Sequence, residues 1–169
     1  MNSLIKVVPN VKKYNDYLFN VNKGTNPIML SGLTDSGKVH LAYSTKFYSN
    51  KPICIITYNE IQAKKLMKDM EFFKDDIRFF RKRDITSFDY IAESKDNLYD
   101  RIEILNDINN NNKRPLIITT IEAVMQKMVS KTSLYKNIIN IKKGTTIKLD
   151  ELKEKLVLLG YERYELIEG

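Results

Sequence analysis

The chain has 169 residues, 43% hydrophobic and 29% charged, with a formal net charge of +7, one cysteine and one histidine, which suits one globular domain with a real core, or one domain plus part of a second. No run approaches the roughly 18 apolar residues of a membrane span, and the N-terminus lacks the apolar core and small-residue cleavage site of a secretory signal. Cys54 alone excludes an internal disulfide framework and suits a reducing cytosol, and His40 alone leaves little basis for a His-based metal site or a Ser-His-Asp triad.

In chain order, residues 3–21 read as a helical lead-in, with Pro9 as a break. "PIMLSG" (27–32) predicts a short buried strand ended by a glycine turn. "SGKVHLAYSTKFYS" (36–49) predicts a helix carrying Val39, Leu41, Ala42 and Phe47. "PICIITY" (52–58) predicts a strand apolar on both faces, as in the middle of a parallel sheet. Asn59 and Gln62 form a capping pair for the helix that follows, with Ile61, Leu66, Met70 and Phe73 at helical spacing. "IRFF" (77–80) predicts a further strand, and an irregular connection leads to a helix with Leu98, Ile102, Leu105 and Ile108 on one side. "PLIITT" (115–120) predicts a last buried strand, with a capping box from Thr119 to Glu122. Strands alternating with helices imply a parallel α/β sheet. After about Met128 the pattern changes: extended segments surround a Lys-Gly turn in "YKNIINIKKGTTIKL", and Asp150 is expected to cap a helix that stops at Gly160. "YERYELIEG" then predicts a strand. The expected organisation is a lead-in over 1–22, an α/β domain over 23–127 and the beginning of a second domain over 128–169.

The segment "GLTDSGK" has the spacing and the strand–loop–helix context of a phosphate-binding loop, in which backbone N–H groups and the lysine surround the phosphates. The next residue departs from that chemistry. A Ser or Thr there supplies a hydroxyl to Mg²⁺, and Val39 has none. Asp35 places a carboxylate inside the loop, and no apolar strand ends in the acidic residue that such a hydrolase needs for its metal. Gly32, Asp35, Ser36, Gly37, Lys38 and Val39 therefore read as a vestigial loop, with no catalytic, metal or cofactor site expected. An active nucleotide-binding enzyme using Gly32, Gly37 and Lys38 stands as the alternative.

In order, "LSGLTDSGKVHLA", "PICIITYNEIQAKKLMKDMEFF", "DITSFDYIAESKDNLYDRIEIL", "RPLIITTIEAVMQKM" and "IKLDELKEKLVLLGYERYELIEG" resemble the N-terminal, UvrB-like region of bacterial transcription-repair coupling factors. The resemblance implies a three-layer α/β core like the first domain of UvrB, followed by the truncated start of a UvrA-binding domain of small α+β type. It implies a fragment of a cytoplasmic bacterial ATP-dependent DNA translocase that removes stalled RNA polymerase at lesions and recruits UvrA for nucleotide excision repair. ATP and Mg would belong to motor domains further along that protein, and the family's pattern would continue directly past Gly169. The implied partners are UvrA, other domains of the parent protein and, through the parent, RNA polymerase and double-stranded DNA; no membrane is implied.

The positive charge is diffuse. Residues 1–50 and 101–150 are basic, 51–100 balanced and 151–169 slightly acidic, so charge alone does not define a nucleic-acid face. Arg81, Lys82 and Arg83 are the candidate phosphate contacts of a DNA-binding reading, weighed against a solvated loop. Phe88, Tyr90 and Tyr99 are read as pinning the connection to the core, His40 as a surface residue and Cys54 as a buried, inert thiol. Met67, Met70, Met125 and Met128 are read as core, and Leu152, Leu156 and Leu159 as a packing stripe.

Overall fold

The computed structural model describes residues 10–49, 51–73, 75–83, 95–109, 114–139, 141–144, 146–162 and 164. Expectations for Phe88, Tyr90, the start of the lead-in and most of "YERYELIEG" fall outside these residues. The chain divides into two compact units, 1–127 and 128–169.

Unit 1 contains α1 (Lys12–Lys23), α2 (Asp35–Tyr48), β1 (Ile53–Thr57), α3 (Glu60–Met70), a 3₁₀ turn (Glu71–Phe73), β2 (Ile77–Phe80), α4 (Lys95–Asn109), β3 (Leu116–Thr120) and α5 (Ile121–Met125). Its strands form a parallel sheet in the order β1-β3-β2, with both Ile53 and Ile77 opposite Leu116. Helices cover both faces, which makes the unit a three-layer α/β core. On one face Leu116 and Ile118 pack with Val39 of α2 and with Ala63, Leu66 and Met70 of α3. On the other, Ile117 and Phe80 meet Ile104 of α4 and Ala123 of α5.

The last strand in sequence is the central one. Every residue of β3 is buried, whereas β1 alternates and leaves Ile56 53% exposed. An apolar run fits an edge or a centre, so the expectation that 52–58 occupies the middle of the sheet is corrected. Threonines fasten the carboxyl ends of the strands: Thr119 Oγ1 donates to Phe80 O at 2.9 Å, and Thr57 Oγ1 to Thr119 O at 3.1 Å. Thr120, not Thr119, caps α5, accepting from the Ala123 N–H. Asn59 caps α3 as expected, through Gln62 N at 2.9 Å.

The expected strand over 27–32 does not form. Residues 25–31 carry no regular structure, and Met29 is 92% exposed. A strand exists only with a ladder partner, and Pro27 has no N–H to offer one.

Helix faces also depart from their apolar spacing. On α3, Ile61 points to solvent and Ala63 takes its place in the core. On α4 the buried positions are Asn97, Arg101, Ile104 and Asp107, while Leu98, Ile102 and Ile108 of the apolar stripe are exposed. Polar contacts to β2 set that rotation. Arg78 donates to both carboxylate oxygens of Glu103 at 3.1 and 3.2 Å and lies 3.8 Å from the buried Asp107, and the Arg101 guanidinium stacks 4.0 Å from the Phe80 ring.

Unit 2 contains α6 (Lys131–Asn137), capped by Ser130, and α7 (Leu149–Leu158). Lys148 precedes α7 without a side-chain cap, so Asp150 lies in its first turn, where it pairs with Lys153, and does not cap it. Gly160, at φ +87°, ends the helix by turning the chain in the left-handed region open to glycine. The described residues of unit 2 form helices and turns, and the extended segments expected around Lys143–Gly144 pair into no strand among them.

Candidate functional site

Gly32, at φ +77°, bends the chain before α2. Thr34 is the N-cap: its Oγ1 accepts from Gly37 N at 3.1 Å, and its carbonyl from Lys38 N at 2.9 Å. The Ser36 hydroxyl lies 3.5 Å from that of Thr34. Any Cβ at position 37 would stand 3.1 Å from Thr34 Oγ1, so glycine there serves the cap. Val39 is 4% exposed, inside the core. In a phosphate loop the N–H groups converge on an anion, whereas here the Gly37 N–H is spent on the adjacent hydroxyl.

The lysine is engaged in the same local way. Lys38 Nζ lies 3.3 Å from one Asp35 oxygen, and Lys65 Nζ of α3 lies 2.8 Å from the other. The Lys65 hydrogen bond, followed by that of Lys38, holds the Asp35 carboxyl below its ordinary range, and Asp35 raises Lys65 in return. Lys65 carries no motif signature; only the packing of α3 beside α2 brings it to the loop.

Ligands of open parallel sheets settle at the carboxyl ends of the strands. A recess of about 220 Å³ opens there in unit 1, among Asn59, Glu60, Phe79, Lys82, Thr120 and Glu122. Glu122 holds Lys82 at 2.8 Å, and Lys64 lies 3.6 Å from Glu60. Among the described residues no group of three or more His, Cys, Asp or Glu side chains is placed to hold a metal ion.

The basic run 81–83 prolongs β2 and is held along its backbone. Arg101 donates to Arg81 O, Asn97 Nδ2 to Lys82 O at 3.0 Å, and Gln126 Nε2 to Arg83 O at 2.9 Å. The Gln126 amide oxygen accepts from Arg83 N at 2.7 Å, so one side chain serves both backbone polar groups of Arg83. Arg81 lies over the Phe79 ring at 5.7 Å. The run is thus a loop after β2 with exposed side chains, as expected, its backbone held by side chains of α4 and by Gln126. Its anchors Asn97, Arg101 and Gln126 have no sequence motif, and only a polar stripe on α4 hints at two of them.

Other expectations are corrected too. Cys54 is exposed, although partial burial among its strand neighbours still pushes its thiol up. Met67 and Met70 pack in the core, but Met125 is 79% and Met128 41% exposed. Tyr99 is 63% exposed. His40 is half-buried, with its ring 6.4 Å from that of Phe73.

Fold and loop together define a three-layer α/β domain with a parallel sheet and a phosphate-loop-like sequence folded as a helix cap. No protein-family model matches the chain. It is similar to the transcription-repair-coupling factor of Bacillus subtilis (strain 168), at 24% identity over 163 residues, 93% of this chain and 14% of that protein. The protein of the same name from Staphylococcus haemolyticus (strain JCSC1435) is 26% identical over 147 residues, 85% of this chain, and that from Staphylococcus aureus (strain bovine RF122 / ET3-1) 26% over 141 residues, 82% of it. The chain spans 12–14% of the length of these curated relatives and matches their N-terminal part. No described helix is long and apolar enough to cross a membrane.

Proposed function

We propose that this chain is a non-catalytic docking and regulatory module of a transcription-repair coupling factor. In this reading the parent protein is a cytoplasmic ATP-dependent DNA translocase that removes stalled RNA polymerase at lesions and recruits UvrA. Its nucleotide chemistry resides in domains outside this chain. Similarity across 82–93% of the chain to proteins of that name supports the assignment to this parent. One observation carries the non-catalytic part. Thr34 and Asp35 already engage the Gly37 N–H and the Lys38 ammonium that a phosphate would require, and Val39 lies in the core.

Thermal unfolding with and without millimolar Mg·ATP and Mg·ADP, beside a Lys38→Ala variant, tests this. The expected outcome is that nucleotide leaves the midpoint of each protein where it was. A ligand at a hundredfold excess over its Kd would add about 2.7 kcal/mol of stability. A nucleotide-dependent rise that vanishes in Lys38→Ala therefore overturns the reading and favours a working nucleotide site.

A further inference from the structure

The outer edge of β1 is open. Ile53 N donates to Pro115 O at 3.2 Å, so Ile53, Ile55 and Thr57 turn their backbone groups toward β3. Cys54 and Ile56 alternate with them and turn theirs away from the sheet, where nothing among the described residues pairs with them. Both side chains are exposed as well. β1 holds no proline and no charge, the usual guards of such an edge.

A second unpaired stretch of backbone runs in the direction of β1. Tyr14 reaches Leu41 O, Tyr17 reaches Thr45 Oγ1 and Lys51 Nζ reaches Val21 O, so α1 and α2 point the same way. The connection between them therefore starts near the Lys51 end of β1 and returns against α2, whose 14 residues span about 20 Å. Because α2 feeds β1 directly and lies antiparallel to it, this returning chain travels parallel to the strands. Within it Ile28, Met29, Leu30 and Ser31 make no hydrogen bond among the described residues.

We propose that residues 28–31 form a strap that closes onto the outer edge of β1 as a fourth parallel strand, in the order strap-β1-β3-β2. Chain handedness selects that edge. α2 and α3 pack on the same face of the sheet, and α3 carries the chain from β1 across to β2. A crossover of the same, right-handed sense through α2 starts on the side of β1 away from β3. Pro27 stands just before the paired stretch, where a strand tolerates it. Ile28 is already half-buried. With Ile28 and Leu30 on the α2 face, Met29, now 92% exposed, joins Cys54 and Ile56 on the other. The closed strap guards the edge, and the open form described above leaves it available to another strand.

The lone cysteine supplies the test. Paired strands bring neighbouring Cα atoms on one face to about 5 Å, within disulfide reach. Two variants of the full chain place a partner thiol on the Cys54 face, one for each register: Met29→Cys alone, and Met29→Cys with Cys54→Ser and Ile56→Cys. Leu30→Cys, beside the native Cys54, puts its thiol on the opposite face. Under mild oxidation in dilute solution, one of the two Met29→Cys variants is expected to form an intrachain disulfide at least about tenfold faster than Leu30→Cys. Amide hydrogen exchange reads the same pairing in the chain with its own residues. Cys54 and Ile56 should exchange several-fold faster in Leu30→Pro, whose strap lacks a backbone donor, while Ile53 and Ile55, bonded to β3, should not change. Disulfides that form only between chains, a Leu30→Cys variant that oxidises as fast as both Met29→Cys variants, or Cys54 and Ile56 amides indifferent to Leu30→Pro would each overturn the proposal.

Discussion

Thr34 sets the start of α2 by supplying the hydroxyl that Gly37 N–H needs. Thr34→Ala should lower stability by about 1 kcal/mol, the usual worth of an N-cap side chain, while Thr34→Ser should lose only a fraction of that; urea unfolding compares them. Two carboxylates make the chain sensitive to acid. Asp35 is held low by Lys65 and then Lys38. Burial raises Asp75, but the Lys46 ammonium, the Asp76 N–H and the Tyr43 hydroxyl outweigh it, for a net lowering. A carboxylate lowered in the folded state contributes stability that is complete above the unfolded value, about 3.9, and is lost as pH falls through the folded one. Urea midpoints should therefore fall below about pH 5, and the double variant Lys46→Met, Lys65→Met should show a shallower fall. At this scale Asn59 and Gly160 were legible, since a cap and a stop are local chemistry. Lys65 against Asp35, thirty positions apart in sequence, was not.

The elements of unit 1 show how far apolar spacing carries. It marks α4 as a helix but assigns the wrong stripe to the core, because Arg78, Glu103 and Asp107 rotate the helix about its axis. Ile104, at 2% exposure, and Ile102, at 39%, should therefore respond very differently to truncation. Ile104→Ala is expected to cost about 2–5 kcal/mol and Ile102→Ala less than about 1 kcal/mol, measured by chemical denaturation. Equal losses would mean that the stripe of Leu98, Ile102 and Ile108 is the packed face. The run 81–83 teaches the same point. Three basic residues in a row look like a loop and are one, but the side chains of α4 and Gln126 that hold its carbonyls come from distant parts of the chain.

Across the whole molecule burial is uneven, concentrated on β3 in unit 1 and sparse in unit 2. Amide hydrogen exchange should reflect this. The amides of Ile117, Ile118 and Thr119 should open only with global unfolding, and those of α6 and α7 through cheaper local openings. Comparable protection in the two units would refute that ranking. The amino-acid sequence by itself determined the α/β class, the parallel strands at 53–57, 77–80 and 116–120, and most helix positions, because periodicity, caps and glycine stops act over a few residues. Tertiary structure alone decided that β3 takes the centre, that 27–32 stays out of the sheet, that Cys54 is exposed, and that Lys65 joins Lys38 on Asp35. Each of those outcomes depends on which distant partner supplies the second half of a hydrogen bond, an ion pair or a packed face, and local sequence does not specify that partner.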